Sequence, residues 1–277
     1  MKQSFIKSAI AAASLIASAA HAGPFILAGT DADDHGSVTS AGNQDGWLFM
    51  QKAIENLGNS TGLTNTAKKV VALGSNAGSK AGDAAQSAFD KSSLATSGWT
   101  FESIDGAANI TAFLNAPTGS LIMLDSGGNN VSGGLDSAEL AALTGSAAMI
   151  NTFVGNGGAL FSQANDYGWL SALLPNLTVV GDQQTGLALT ADGTSAFPGL
   201  NNGDLSAGPY HENFVGVGAI PVLATGIGQF SNLNVIIGAS GGSVINPMPA
   251  IPEPSTYALM FGGLAAVAAL ARRRRQA

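Results

Sequence analysis

Short apolar runs with little polar alternation recur along the chain, and they constrain the fold more than any other feature of the sequence. They are Phe25–Ala28, Lys69–Leu73, Trp99–Ile104, Leu121–Leu124, Ala159–Ser162 and Val235–Gly238. A strand that is apolar on both faces has to be covered on both faces, which is the condition of a parallel sheet in an α/β domain. Helical patterns separate the runs. Gly46–Leu57 sets Trp47, Met50, Ile54 and Leu57 on one face at i, i+3, i+7 and i+10. The spacing of Leu140, Leu143, Ala147, Ile150 and Val154 predicts one helix from Asp136 to Val154. Asp136 and Glu139 would form its capping box and Gly155, Gly157 and Gly158 its stop, although Gly145 lies inside it. Shorter helices are predicted at Asp83–Leu94, Ala107–Asn115 and Tyr167–Leu174. Crossovers in such a sheet are right-handed. The strand-rich region 177–240 is expected to be the far edge of the same sheet with an antiparallel extension.

The chain of 277 residues is long enough for one domain with a sizeable core. Both of its ends depart from the composition of the middle. At the N-terminus, Lys2 and Lys7 precede an apolar stretch from Ala9 to Ala20, and Ala20-His21-Ala22 closes it with a small-x-small site. This is the pattern of a secretory signal peptide, passed by the Sec translocon and cut by signal peptidase between Ala22 and Gly23. At the C-terminus, Pro252-Glu253-Pro254-Ser255-Thr256 leads into an apolar run ending at Ala271, then Arg272, Arg273, Arg274 and Arg275. A helix over about 255–271 would be roughly 25 Å long, at the short limit for a single transmembrane span. The arginines hold the tail on the cytoplasmic side and leave the body outside. The expected organisation is a signal peptide at 1–22, an exported α/β domain at 23–240, a flexible linker at 241–250 and a sorting signal at 251–277.

Between the two end segments, residues 23–250 carry five lysines and no arginine against 17 acidic residues, a formal charge of −12. Such a body does not bind nucleic acid or an anionic membrane surface, both of which need clustered Lys or Arg. The absence of cysteine excludes disulfides, zinc-thiolate centres and thiol nucleophiles.

The tripartite tail resembles the PEP-CTERM sorting signal, through Pro252-Glu253-Pro254, the short apolar run and the arginine cluster. The resemblance implies processing by an exosortase-type membrane protease in a bacterium that makes exopolysaccharide or biofilm. The body carries a second resemblance, through Ile26-Leu27-Ala28-Gly29-Thr30-Asp31, Leu121-Ile122-Met123-Leu124-Asp125 and Phe153-Val154-Gly155-Asn156-Gly157-Gly158-Ala159-Leu160. These segments resemble the class I glutamine amidotransferase-like fold in its ThuA-like variant. That resemblance implies a three-layer flavodoxin-like sandwich with a mostly parallel sheet over roughly 23–240. The amidotransferases proper use a cysteine nucleophile, so their activity is not implied here.

In an open parallel sheet, ligands gather beyond the carboxyl ends of the strands. There the sequence places Asp31, Asp33, Asp34 and His35, then Asp105, then Asp125 and Ser126, then Gln163, Asn165 and Asp166. No arginine and no phosphate-binding glycine fingerprint accompanies them. Asp31, Asp33, Asp34 and Asp125 are the candidate metal ligands, and their hard oxygens suit Ca²⁺ or Mg²⁺, with Ca²⁺ the ion expected. Asp31-x-Asp33-x-His35-Gly36 mimics the opening of an EF-hand, but Gly42 stands where that loop needs a bidentate Glu. The alternative is a solvated acidic turn with His35 at the surface. The candidate nucleophile is Ser126, with His211 as base and Glu212 or an Asp as orienter. The nucleophile elbow needs Gly where this chain has Leu124, and a simple glycine-rich loop is the competing reading. His211 resembles the late His of the amidotransferase-like fold without its His-x-Glu spacing. No organic cofactor is expected. The leading functional reading is an exported surface or matrix protein, non-catalytic, with extracellular polysaccharide as a candidate partner. The alternative is a divergent hydrolase or metal-dependent enzyme.

Overall fold

The computed structural model describes residues 23–127 and 133–238. Strand β1 (Phe25–Ala28) leads through the hairpin of β2 (Gly36–Thr39) and β3 (Gly42–Asp45) into helix α1 (Gly46–Gly58) and then β4 (Lys69–Leu73). Helices α2 (Lys80–Asp90) and α3 (Ser93–Thr96) precede β5 (Thr100–Ile104), and α4 (Ala107–Asn115) precedes β6 (Leu121–Leu124). Helices α5 (Ser137–Gly145) and α6 (Ala147–Gly155) connect to β7 (Ala159–Ser162). The remainder holds β8 (Thr178–Gln184), β9 (Leu187–Leu189), α7 (Ala191–Ala196), β10 (Tyr210–Val215), β11 (Val222–Gly226) and β12 (Asn234–Gly238).

The result is an α/β fold built on one large sheet. Its parallel part runs in the order β5-β4-β6-β7-β1. Beyond β1 the sheet turns antiparallel through β12, β10 and β8, with β11 pairing β12 and β9. Chain direction decides which face each helix covers. The steps β1 to β4 and β4 to β5 move one way across the sheet, and their helices α1 and α2 pack on each other. The steps to β6 and β7 move the other way, and α4, α5 and α6 form a second group. Right-handed crossovers require this division.

Burial matches it. Ile26, Ala28, Val70, Ala72, Leu121, Met123, Ala159 and Phe161 share a core with Phe49, Met50 and Ile54 of α1 and Ala84 and Ala88 of α2. The strand residues of opposite parity, including Leu27, Val71, Ile122 and Leu160, are buried as well. Each such aliphatic side chain contributes about 1.5–3 kcal/mol when it leaves water. Phe49 packs edge-on against Phe161 of β7 at 5.7 Å and against Phe197, just after α7, at 5.4 Å. One ring thus ties the parallel block to the C-terminal extension.

Several expectations need correction. The helix expected to run unbroken from Asp136 to Val154 is two helices that meet at Ser146, whose φ of −101° and ψ of 13° end the first. Its N–H caps the Ala142 and Leu143 carbonyls, and Gly145 before it lowers the cost of stopping there. The expected capping box is present, with Glu139 N–H donating to Asp136 and Asp136 N–H donating back to Glu139, both at 2.8 Å. The helix expected at Asp83–Leu94 runs instead from Lys80 to Asp90, because Ser79 Oγ accepts from Gly82 N–H at 3.0 Å, and Leu94 belongs to the separate α3. Tyr167–Leu174 contains only a single 3₁₀ turn, Leu170–Ala172, after left-handed backbone at Asp166 and Tyr167 (φ 62° and 49°). The β2–β3 hairpin has no apolar run to announce it. The expected signal peptide, linker and transmembrane segment lie outside the described residues, as does the sorting motif. Among the described residues no helix is long and apolar enough to cross a membrane.

Candidate functional site

The carboxyl ends of β1, β4, β6 and β7 lie along one edge, and the start of β10 reaches it beyond the end of β1. The last step is made by backbone. His211 N–H donates to Gly29 O at 2.7 Å, and Thr30 bridges Tyr210 in antiparallel register. Gly29 lets β10 come this close, because a Cβ there would stand 1.8 Å from Glu212 O.

After β1 the chain makes a turn of helical pitch. Asp34 N–H donates to Asp31 O at 3.0 Å and His35 N–H to Ala32 O at 3.3 Å. Residues 31 and 35 therefore fall on the same side, one turn apart. The Trp47 indole of α1 donates to Asp33 O at 2.9 Å and fixes the turn onto the helix. Asp31, Asp33 and Asp34 are 1%, 0% and 6% exposed, so the loop is not a solvated turn.

The structure sorts the sequence candidates into separate contacts. Asp33 accepts from both Ser126 groups, the N–H at 3.1 Å and the hydroxyl at 2.7 Å, while its own N–H donates to Gln163 Oε1 at 3.0 Å. Asp125 accepts from the Ser75 hydroxyl at the end of β4. Asp34 lies 3.8 Å from Lys80 Nζ. Asp31 meets two imidazoles, with its Oδ2 3.0 Å from His211 Nε2 and 3.3 Å from His35 Nε2. Glu212 does not join His211 in a relay. Its Oε1 accepts instead from Asp166 N–H at 2.9 Å. Ser126 and His211 accordingly face different carboxylates. Asp105 follows β5, at whose end Gly106 N–H donates to Glu139 at 2.7 Å.

Burial dominates the electrostatics of this edge. It pushes the Asp31 carboxyl up to about 7, against the pull of His35. It raises Asp33 despite the Ser126 hydrogen bonds, and it raises Asp125 well above the carboxylate range, with the charge of Asp33 adding to the effect. Glu212 is raised to about 8, again chiefly by burial. His211 is lowered by burial, which outweighs the charge of Asp34. Asp31 Oδ1, Asp125 Oδ1, Gln163 Nε2 and Glu212 Oε2 are buried with no hydrogen-bond partner. An unpaired buried polar group costs about 1–3 kcal/mol, so this edge is held together at a loss of stability.

Ser75, Gln163 and the pairing of His35 with Asp31 were not assigned roles from sequence. The i, i+4 spacing of Asp31 and His35 was the available signal for that pair, and it has meaning only once the loop is known to turn back on itself.

Comparison with curated proteins and with solved structures finds no match to this chain. Residues 250–275 match the model of the PEP-CTERM protein-sorting motif. The chain thus carries at its C-terminus the motif that marks exported, surface-associated proteins for exosortase processing.

Proposed function

We propose that this chain is an exported, non-catalytic binding or structural protein, anchored in the membrane only until its tail is removed and afterwards held at the cell surface or in extracellular polysaccharide. The observation that carries this reading is the sorting motif at residues 250–275. The charge of the body supports it, since an arginine-free domain of formal charge −12 stays soluble outside the cell and does not adhere to anionic lipid or nucleic acid. The arrangement at the sheet edge also supports it. The Ser126 hydroxyl donates to Asp33, whereas the His211 ring faces Asp31, and a nucleophile needs its base within hydrogen-bond reach.

We read the body as a flavodoxin-like sandwich related to the class I glutamine amidotransferase-like fold. The support is the strand order. Counting β4 first and β1 last, the parallel strands lie 2-1-3-4-5, the flavodoxin order with the N-terminal strand filling the last place. The Gly157-Gly158 turn from α6 into β7 also fits, since a Cβ at Gly158 would stand 2.4 Å from the Phe153 ring.

The test is intact-mass measurement of the chain from its native host and from a host without exosortase. Removal of the tail near Pro252-Glu253-Pro254 in the first host alone is expected. An unprocessed tail in the native host would overturn the sorting reading.

A further inference from the structure

We propose that Asp31, His35 and His211 form a binding site for one divalent transition ion of the zinc class. The three side chains offer one carboxylate oxygen and two imidazole nitrogens, all within 4.8 Å of one another. The closest separations are 3.0 Å and 3.3 Å. Ligand atoms bound to a common ion at about 2.0–2.2 Å stand roughly 3 Å apart in neighbouring coordination positions, so the cluster is close to coordination geometry.

The hydrogen-bond accounting points the same way. Without an ion, Asp31 Oδ2 can accept from both rings, while Oδ1 of the same carboxylate remains buried with no partner. The carboxylate is 1% exposed. A cation facing this carboxylate would compensate for what the two imidazoles leave unmet.

The three ligands are held by backbone, which lowers the ordering cost of binding. His35 O accepts from Gly46 N–H at 3.0 Å and from Ala207 N–H at 3.3 Å, and His211 N–H is fixed to Gly29. The His35 ring lies against Gly208, where a Cβ would come within 2.3 Å of ring atoms. The turn after β1 and the segment leading into β10 thus clamp the same imidazole.

The donor set selects the ion. Ca²⁺ and Mg²⁺ prefer oxygen ligands, whereas two imidazoles with one carboxylate suit Zn²⁺, Co²⁺, Ni²⁺, Fe²⁺ or Mn²⁺. Three protein ligands leave coordination positions open, so the bound ion could in turn hold an oxygen ligand from outside the protein. The inference is independent of the sorting of the tail.

The test uses the full-length chain in detergent, stripped with EDTA and titrated separately with Zn²⁺, Co²⁺ and Ca²⁺. Calorimetry should show one Zn²⁺ bound per chain, and Co²⁺ should give visible ligand-field absorption. Zn²⁺ should also raise the melting temperature, because an ion that binds only the folded state stabilises it. His35→Gln and His211→Gln should each weaken Zn²⁺ binding by about tenfold or more, as expected when one of three ligands is removed. Circular dichroism of both variants checks that they fold, and His35→Gln, at a half-buried position, is the variant expected to do so. Failure of the wild-type chain to bind Zn²⁺ or Co²⁺, binding of Ca²⁺ in preference to both, or unchanged Zn²⁺ binding in a folded His35→Gln variant would overturn the proposal.

Discussion

A double-mutant cycle on Phe49 and Phe197 tests whether the C-terminal extension docks on α1 as the structure places it. Phe49 and Phe197 are both 0% exposed, and their rings meet edge to face at 5.4 Å with an interplanar angle of 86°. Truncating a buried Phe costs about 3–5 kcal/mol through lost transfer energy and the cavity left behind. Phe49→Ala should reach the upper part of that range, because the same ring also meets Phe161. Phe197→Ala should cost less, since it removes only one aromatic contact of this cluster. Leu at either position retains much of the buried volume and should lose about half as much, so the cycle is best run with Leu to keep all four proteins folded. The edge-to-face pair itself contributes about 0.5–1.5 kcal/mol beyond its buried area, and this is the coupling the cycle should return. Urea denaturation gives the four free energies, and an unchanged m-value shows that the transition remains the same. A coupling indistinguishable from zero would mean that the two rings do not touch. Docking of α7 onto α1 would then be wrong.

Three further predictions address other parts of the molecule. Asp136→Ala should cost about 1 kcal/mol by removing the N-cap of α5, and urea midpoints measure it. Gly29→Ala should sharply lower the yield of folded protein, since its Cβ would meet Glu212 O at 1.8 Å. A variant with wild-type near-ultraviolet dichroism would refute the approach of β10 to β1. Burial raises the Glu139 carboxyl above its ordinary value, so the folded state binds this proton more tightly than the unfolded one. This group's contribution is therefore fully favourable below the unfolded value and falls as pH rises towards the folded one. Glu139→Gln should flatten that part of the stability–pH curve in urea titrations, and identical wild-type and variant curves would refute it.

Much of the fold was legible in the sequence because its causes are local. Leu121–Leu124 and Ala159–Phe161 are unbroken apolar runs, short enough to read as doubly covered strands rather than buried helix. Asp136 and Glu139 cap α5 through groups three residues apart. The sorting motif is a contiguous string. The break at Ser146 was harder to see, since apolar spacing continues across it and only Gly145 hints at an interruption. The β2–β3 hairpin, built from Gly-Ser-Val-Thr and Gly-Asn-Gln-Asp, has no periodicity by which burial could announce it.

Tertiary structure alone decided the site. Sequence order put Asp31, Asp33, Asp34 and Asp125 at strand ends and suggested that they act together. The structure gives each its own partner among Ser126, Lys80, Ser75 and two histidines, while Asp31 feels the charges of Asp33 and Asp34, and Asp125 that of Asp33. The decisive contact, His211 to Asp31, joins residues 180 positions apart. It exists because β12 pairs with β1 and carries β10 to the end of that strand. Strand pairing across such a distance is chosen by which edges remain open and which faces need cover, and those quantities belong to the assembled sheet. Residue type and spacing therefore specified the strands, the caps and the destination of the chain, while the partners of each buried carboxylate were fixed only when the sheet closed around them.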